Sequence, residues 1–204
     1  MGNRKKEILI VALHLFARDG YEAVSVSQIA GELDMTKGAL YRHYKSKRDI
    51  FDCIVQRMEQ QDSEQARQNE VPEESIEKMP EEEKEKMPEQ YENVSLDDLV
   101  EYSKSMYEYW TEDDFASSFR KMLTIEQFRS KEMQNLYQQY LVAGPASYVK
   151  DLFDSMGFTN AKDKAVRFYA VMHFYYSLYD GAEDKENVKD EFVSAIKSLV
   201  QDLK

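Results

Sequence analysis

Glycine is scarce in this chain, with 7 in 204 residues, and proline scarcer, with 4. Sandwiches and barrels need many turn residues, so this composition argues for helices joined by short connections. The glycines at 2, 20, 31, 38, 144, 157 and 181 lie too far apart for a dinucleotide or phosphate-cradling loop. A single cysteine, Cys53, excludes an internal disulfide and any multi-cysteine metal site, and reads as a small hydrophobe in a helix. The three histidines, His14, His43 and His173, are scattered and form no metal-binding pair on one helix. No catalytic constellation is found, so the chain does not read as an enzyme, and it implies no cofactor and no metal.

Long hydrophobic runs are also lacking. The longest, Ala165 to Tyr179, is 15 residues and contains Arg167 and His173, short of the roughly 20 that a bilayer requires. The N-terminus has no secretory apolar segment. A soluble cytoplasmic protein without membrane association is the expectation.

What the chain does have is charge, unevenly placed. The total is −12, yet residues 1–60 carry 10 Lys/Arg against 8 Asp/Glu, and residues 61–204 carry 17 against 31. The first part is therefore at +2 and the rest at −14. Between Thr36 and Arg48 stand Lys37, Arg42, Lys45, Lys47 and Arg48 with no acid among them, and Arg4-Lys5-Lys6 opens the chain. Local field rather than total charge decides whether a polyanion docks.

The periodicity of the first sixty residues predicts short helices and one long one. Ile8, Ala12, Leu15 and Phe16 share one face of a helix from about Asn3 to Arg18, stopped by Gly20. Ser25 and Gln28 have the spacing of a capping box for a short helix with Val26, Ile29, Ala30 and Leu33 inward. Asp34-Met35-Thr36 is a tight turn, and Thr36 caps a helix expected from Lys37 to about Tyr44. Ser46 and Asp49 open a long helix with Ile50, Phe51, Ile54, Val55 and Met58 inward. A short helix, a tight turn and a basic, aromatic second helix describe a helix-turn-helix; a generic three-helix bundle has the same periodicity, and the placement of charge favours the former.

The run GALYRHYKSKRDIF, together with Ile8, Ala12, Leu15-Phe16, Gly20-Tyr21 and Ile29-Ala30, resembles the DNA-binding head of the TetR family of bacterial repressors over residues 8–54. Gly31 and Asp34 depart from it, standing where the family often has alanine and usually glycine. The resemblance implies an all-α fold: a helix-turn-helix domain over 1–47 and a helical effector-binding and dimerisation domain over 48–204, linked by the long helix. A helix-turn-helix presents the N-terminal residues of its second helix to base edges. The DNA-contacting candidates are accordingly Ser25, Thr36, Lys37, Gly38, Ala39, Tyr41, Arg42, His43, Tyr44 and Lys47. Lys37 and Arg42 suit base edges, while Lys47 and Ser25 suit phosphates.

Pro72, Pro80 and Pro88 recur every eight residues in an acidic insert at about 68–94, read as a linker or as a lid over the C-terminal body. After position 90 the chain holds 20 of its 25 aromatic residues. Helices are expected near 95–110, 112–128, 130–142, 145–156, 161–180 and 185–203, with Ser95-x-x-Asp98 and Thr111-x-x-Asp114 as two of their starts. Most of these aromatics suit a core. The resemblance implies a pocket for a hydrophobic or aromatic effector, for which the candidates are Tyr102, Met106, Trp110, Phe119, Met122, Tyr137 and His173. It also implies a homodimer through the last two helices, with Phe168, Met172, Tyr175, Tyr179, Phe192, Ile196 and Leu199 as candidate interface residues.

The function so implied is a sequence-specific transcriptional regulator, a repressor released from a double-stranded operator by a small molecule of unknown identity. A helical protein–protein adaptor, or a small-molecule-binding protein without operator-specific DNA binding, is the alternative that the residues leave open.

Overall fold

The computed structural model describes residues 2–68 and 95–203, with the side chains of 66–68 left aside. From residue 69 onward, the acidic insert lies outside the described residues, and with it the choice between linker and lid. The described residues form helices and turns and no strand. In chain order the helices are α1 (Asn3–Asp19), α2 (Val26–Gly31), α3 (Lys37–Leu40), α4 (Lys47–Gln68), α5 (Leu96–Glu112), α6 (Asp114–Glu126), α7 (Lys131–Leu141), α8 (Ala143–Ser155), α9 (Ala161–Gly181) and α10 (Lys185–Asp202). The protein is thus an all-α chain, with an N-terminal helix-turn-helix head and a helical C-terminal domain.

Packing divides it into two units. The first comprises Met1–Glu64 and Asp114–Tyr137; the second comprises Gln65–Asp113 and Gln138–Lys204.

In the first unit, α1 buries Ile8, Leu9, Ala12, Leu13, Leu15 and Phe16, one stripe at helical spacing. It ends where the Gly20 amide donates to the Phe16 carbonyl at 2.9 Å. At α2 the Ser25 hydroxyl accepts the Gln28 backbone N–H at 3.2 Å and the Gln28 side-chain Oε1 accepts the Ser25 N–H at 2.7 Å, so the capping box closes in both directions. The turn after α2 is closed by the Met35 amide donating to the Ala30 carbonyl at 2.9 Å, with Asp34 at φ 51. Aspartate tolerates this left-handed conformation better than most residues but still pays for its Cβ. Asp34→Gly is expected to raise stability by about 0.5–1 kcal/mol, the usual scale of such backbone relief, read as a small upward shift of the thermal midpoint.

Helix α3 is shorter than the sequence predicts. Only Lys37–Leu40 are α-helical, and Arg42 and His43 then donate to Ala39 and Leu40 in tighter, three-residue steps. At the head of α4 the Asp49 N–H donates to the Ser46 hydroxyl at 3.0 Å, while the Asp49 carboxylate accepts the N–H of Lys45. Ile50, Phe51, Ile54 and Met58 face inward. The distant helix α6 packs along α1 and buries Phe115, Ala116, Phe119, Met122 and Leu123.

In the second unit, α9 packs against α8, α10 and α5. Its centre is aromatic. The Tyr107 ring stacks on Phe192 at 4.0 Å and on Tyr176 at 5.7 Å, and its hydroxyl donates to the Tyr175 carbonyl at 3.0 Å. Phe153 meets Phe168 edge-on at 5.6 Å. One expected helix start moves. Thr111 does not cap α6 but lies buried in the last turn of α5, where its hydroxyl donates to the Tyr107 carbonyl at 2.6 Å. A buried threonine can satisfy itself on the preceding turn, which lets the helix run on through it.

Candidate nucleic-acid interface

The helix-turn-helix presents its second helix outward. Thr36, Lys37 and Gly38 are exposed and Ala39 is half-buried, while Leu40 is sealed in the core. The Thr36 hydroxyl accepts the Ala39 N–H at 3.1 Å, which fixes the first turn of α3. Lys37 holds its ammonium 5.9 Å from the centre of the Tyr41 ring, and Tyr41 is itself largely exposed. Arg42 and Lys45 are exposed, and among the described residues neither they nor Lys37 has an ion-pair partner. Their charge is therefore available to an anion. His43 is half-buried.

Arg48 differs, although it closes the same basic run. Its guanidinium grips the Glu132 carboxylate at 2.6 and 2.8 Å and the Asp52 carboxylate at 2.6 Å. These contacts tie α4 to α7, hold the Glu132 carboxyl below its ordinary range, and spend the arginine's charge internally.

Two other candidates are built into the head. Tyr44 is 1% exposed, and its hydroxyl donates to the Lys5 carbonyl at 2.9 Å while the Lys5 ammonium lies over its ring at 5.0 Å. Burial pushes its phenol well above the ordinary tyrosine range. This residue braces α1 from within and does not sit on the outer face. Lys47 turns its ammonium to the carbonyls of Tyr21 and Glu22, at 2.7 and 3.3 Å, and over the Tyr21 ring at 4.3 Å. An ammonium has three donors, so one N–H remains for a phosphate. The Ser25 hydroxyl is exposed and accepts within its capping box, which leaves its own proton to donate.

The sequence did not single out Arg4. It donates one N–H to the Leu33 carbonyl at 2.8 Å and pairs with Glu7 at 2.9 Å, clasping the turn that precedes α3. Its membership of the basic Arg4-Lys5-Lys6 cluster was the only signal. Cys53 is half-buried, and burial together with Asp49 raises its thiol.

This head can be compared with known proteins. Residues 8–54 match the sequence profile described as "Bacterial regulatory proteins, tetR family". The head, residues 8–54, is that of the TetR family. The transcriptional regulator AcrR of Shigella flexneri is 42% identical over 50 residues, which are 24% of this chain and 23% of AcrR. The nucleoid occlusion factor SlmA of Escherichia coli is 36% identical over 58 residues, 28% of this chain and 29% of SlmA. The chain thus matches less than a third of the length of these curated relatives. A solved TetR-family transcriptional regulator from Bordetella parapertussis has TM-score 0.62 at 17% identity, covering 96% of this chain and 95% of its own. At that identity the likeness shows the fold alone.

The remaining candidates fall in the two units as follows. Of the pocket residues, Phe119, Met122 and Tyr137 are buried in the first unit. Trp110 is buried in the second, where Tyr102, Met106 and His173 are half-buried. The Tyr102 ring lies 6.1 Å from that of Tyr148, and the His173 ring lies 6.3 Å from those of Tyr169 and Tyr176.

Of the seven candidate interface residues, Phe168, Met172, Tyr179, Phe192 and Ile196 are buried inside their own unit, and Tyr175 and Leu199 are half-buried. The large apolar side chains that α9 leaves exposed are Val166 at 54%, Phe174 at 58% and Leu178 at 37%. Spaced by eight and four, they fall on one side of the helix. Among the described residues, no helix is long and apolar enough to cross a membrane, and no three His, Cys, Asp or Glu residues gather where they could hold a metal.

Proposed function

We propose that this protein is a DNA-binding transcriptional regulator, a repressor that a small hydrophobic or aromatic ligand releases from its operator. The observation that carries the reading is the outward basic run of α3 and the turn after it, with no acid between Thr36 and Arg48. Among the described residues, Lys37, Arg42 and Lys45 have no ion-pair partner there, on a head of the TetR family. Chromosomal DNA places such a reader in the cytoplasm.

The regulator acts as a homodimer. The exposed stripe Val166, Phe174 and Leu178 on α9 is the apolar side available for a second copy, and the half-buried Tyr175 and Leu199 border on it in sequence or lie on the last helix. Two heads one DNA turn apart, about 34–36 Å, enter successive major grooves on one face of the duplex. A ligand that prefers another head spacing lowers DNA affinity by the ratio of its affinities for the two arrangements. The aromatic and methionine side chains of the C-terminal body suit an apolar ligand with tyrosine hydroxyls as polar handles. The structural neighbour named as a SmeT–triclosan complex, with TM-score 0.67 at 13% identity over 98% of this chain and 91% of its own, carries a ligand of that chemistry.

The test is fluorescence anisotropy on a duplex taken from upstream of the protein's own gene, across a salt series, beside an unrelated duplex of equal length. Selective binding that weakens steeply with salt is the expected result, because each phosphate contact contributes about 0.9 to the salt slope. Lys37→Ala is expected to cut the preference for the upstream duplex about tenfold, within the 1–3 kcal/mol that one base-edge contact contributes. Its binding to the unrelated duplex should stay close to that of the parent. No binding to either duplex at low salt would favour the adaptor reading.

A further inference from the structure

We propose that Glu126 is the positioning residue of the DNA-reading helix pair, through a carboxylate that holds the corner between α1 and α2. The inference rests on the DNA-binding reading above.

The chain leaves α1 through Gly20, whose φ of 87 and ψ of 148 turn it sharply into Tyr21. The Tyr21 residue is then held on both sides. Its N–H donates to Glu126 Oε1 at 3.0 Å, and its carbonyl accepts from Lys47 Nζ at 2.7 Å. Its ring is wedged against Phe16 at 5.1 Å and Phe51 at 5.2 Å. One residue therefore donates a directed bond to α6, accepts another from α4, and packs against rings of α1 and α4.

Glu126 is 1% exposed, and a buried carboxylate persists only where it is paired. Its partners are the Tyr21 N–H and the half-exposed Arg129 guanidinium, whose Nε lies 3.2 Å from the same Oε1. The room for that oxygen is the missing side chain of Gly20, since a Cβ there would lie 2.7 Å from it. Apolar packing of α6 on α1 is non-directional and tolerates sliding. The hydrogen bond from Glu126 is directional, so it fixes the corner from which α2 and α3 depart. A reading helix that must bring Lys37 within hydrogen-bond reach of a base edge depends on that corner staying in place.

The experiment compares Glu126→Ala and Glu126→Gln with the parent. Each is titrated against a duplex that the parent recovers from a random-sequence pool and against a scrambled duplex of equal length. Amide hydrogen exchange at Tyr21 is followed in the free protein, and circular dichroism establishes that each variant is folded. Glu126→Ala removes the acceptor and is expected to weaken binding to the selected duplex tenfold or more. Its affinity for the scrambled duplex and its salt slope should be unchanged, because the phosphate contacts remain. Glu126→Gln keeps an acceptor oxygen and is expected to recover the loss to within about threefold.

A folded Glu126→Ala protein that binds the selected duplex like the parent would overturn the proposal, and so would a glutamine variant as weak as the alanine one. If the parent recovers no preferred duplex, the DNA-binding reading has failed, and the exchange arm decides the corner alone. Faster exchange of the Tyr21 amide in the alanine variant, but not in the glutamine variant, would support the brace; equal exchange in all three would overturn it.

Discussion

Gly20→Ala is expected to lower the stability of the protein by about 3 kcal/mol. Two costs combine. The backbone at φ 87 and ψ 148 lies in a region that is essentially glycine's own, where a side chain costs about 1–3 kcal/mol. The new Cβ also falls 2.7 Å from Glu126 Oε1, and that carboxylate is too deeply buried to swing into solvent. Displacing it leaves the Tyr21 N–H without its acceptor, a loss of about 1–3 kcal/mol for a buried donor. For a chain of this length, 3 kcal/mol corresponds to a fall of about 6–12 °C in the thermal midpoint. Thermal melting followed by circular dichroism measures it, and a fall below about 2 °C would mean that the corner relaxes at no cost. Part of the measured loss should also appear as weaker selective DNA binding, because the same corner carries the reading pair.

A larger loss is expected from Gly144→Ala, at the junction of α7 and α8. A Cβ there would collide with the backbone carbonyl of Gln139. A side chain can rotate away from such an intrusion, but a carbonyl in the last turn of a helix cannot move without unwinding that turn. Pro145 follows, and a residue with a Cβ before proline is disfavoured in the helical conformation that α8 requires in its first turn. The expected destabilisation is about 4 kcal/mol, at the exceptional end for a single substitution, read in the same melts. Gly31→Ala serves as the control. A Cβ there meets nothing within 4 Å, so the change should be neutral or slightly stabilising, by up to about 1 kcal/mol of helix propensity. Equal losses at positions 31 and 144 would show that the collision with Gln139 is not what matters.

Most of the secondary structure was legible locally. Ser25 with Gln28, Thr36, and Ser95 with Asp98 mark helix starts through hydrogen bonds to atoms two or three residues away, and each cap forms as its spacing implies. Where local reading failed, a neighbour on the same helix or a distant contact had prevailed. Thr111 carries the signature of a cap, yet its hydroxyl is satisfied by the Tyr107 carbonyl four residues back, so α5 continues to Glu112. Tyr44 belongs to an aromatic and basic run that suggests an outer face, but its hydroxyl reaches the Lys5 carbonyl and draws the ring inward.

By itself, the sequence determined the all-helical class, the helix-turn-helix with its acid-free basic second helix, and the family to which the head belongs. These follow from periodicity, capping and residue order, which act over a few residues at a time. Tertiary structure decided which basic residues keep their charge for a partner. It spends Arg48 on Glu132, 84 positions away, and leaves Lys37, Arg42 and Lys45 open. It also decided which side of α9 is core. That helix is apolar on more than one side, so spacing alone cannot orient it, and only packing against α5, α8 and α10 leaves Val166, Phe174 and Leu178 outside. The Glu126–Tyr21 bond joins residues 105 positions apart. No local pattern encodes such a pair, because its free energy exists only after the surrounding apolar side chains have brought the two helices together and excluded water from between them.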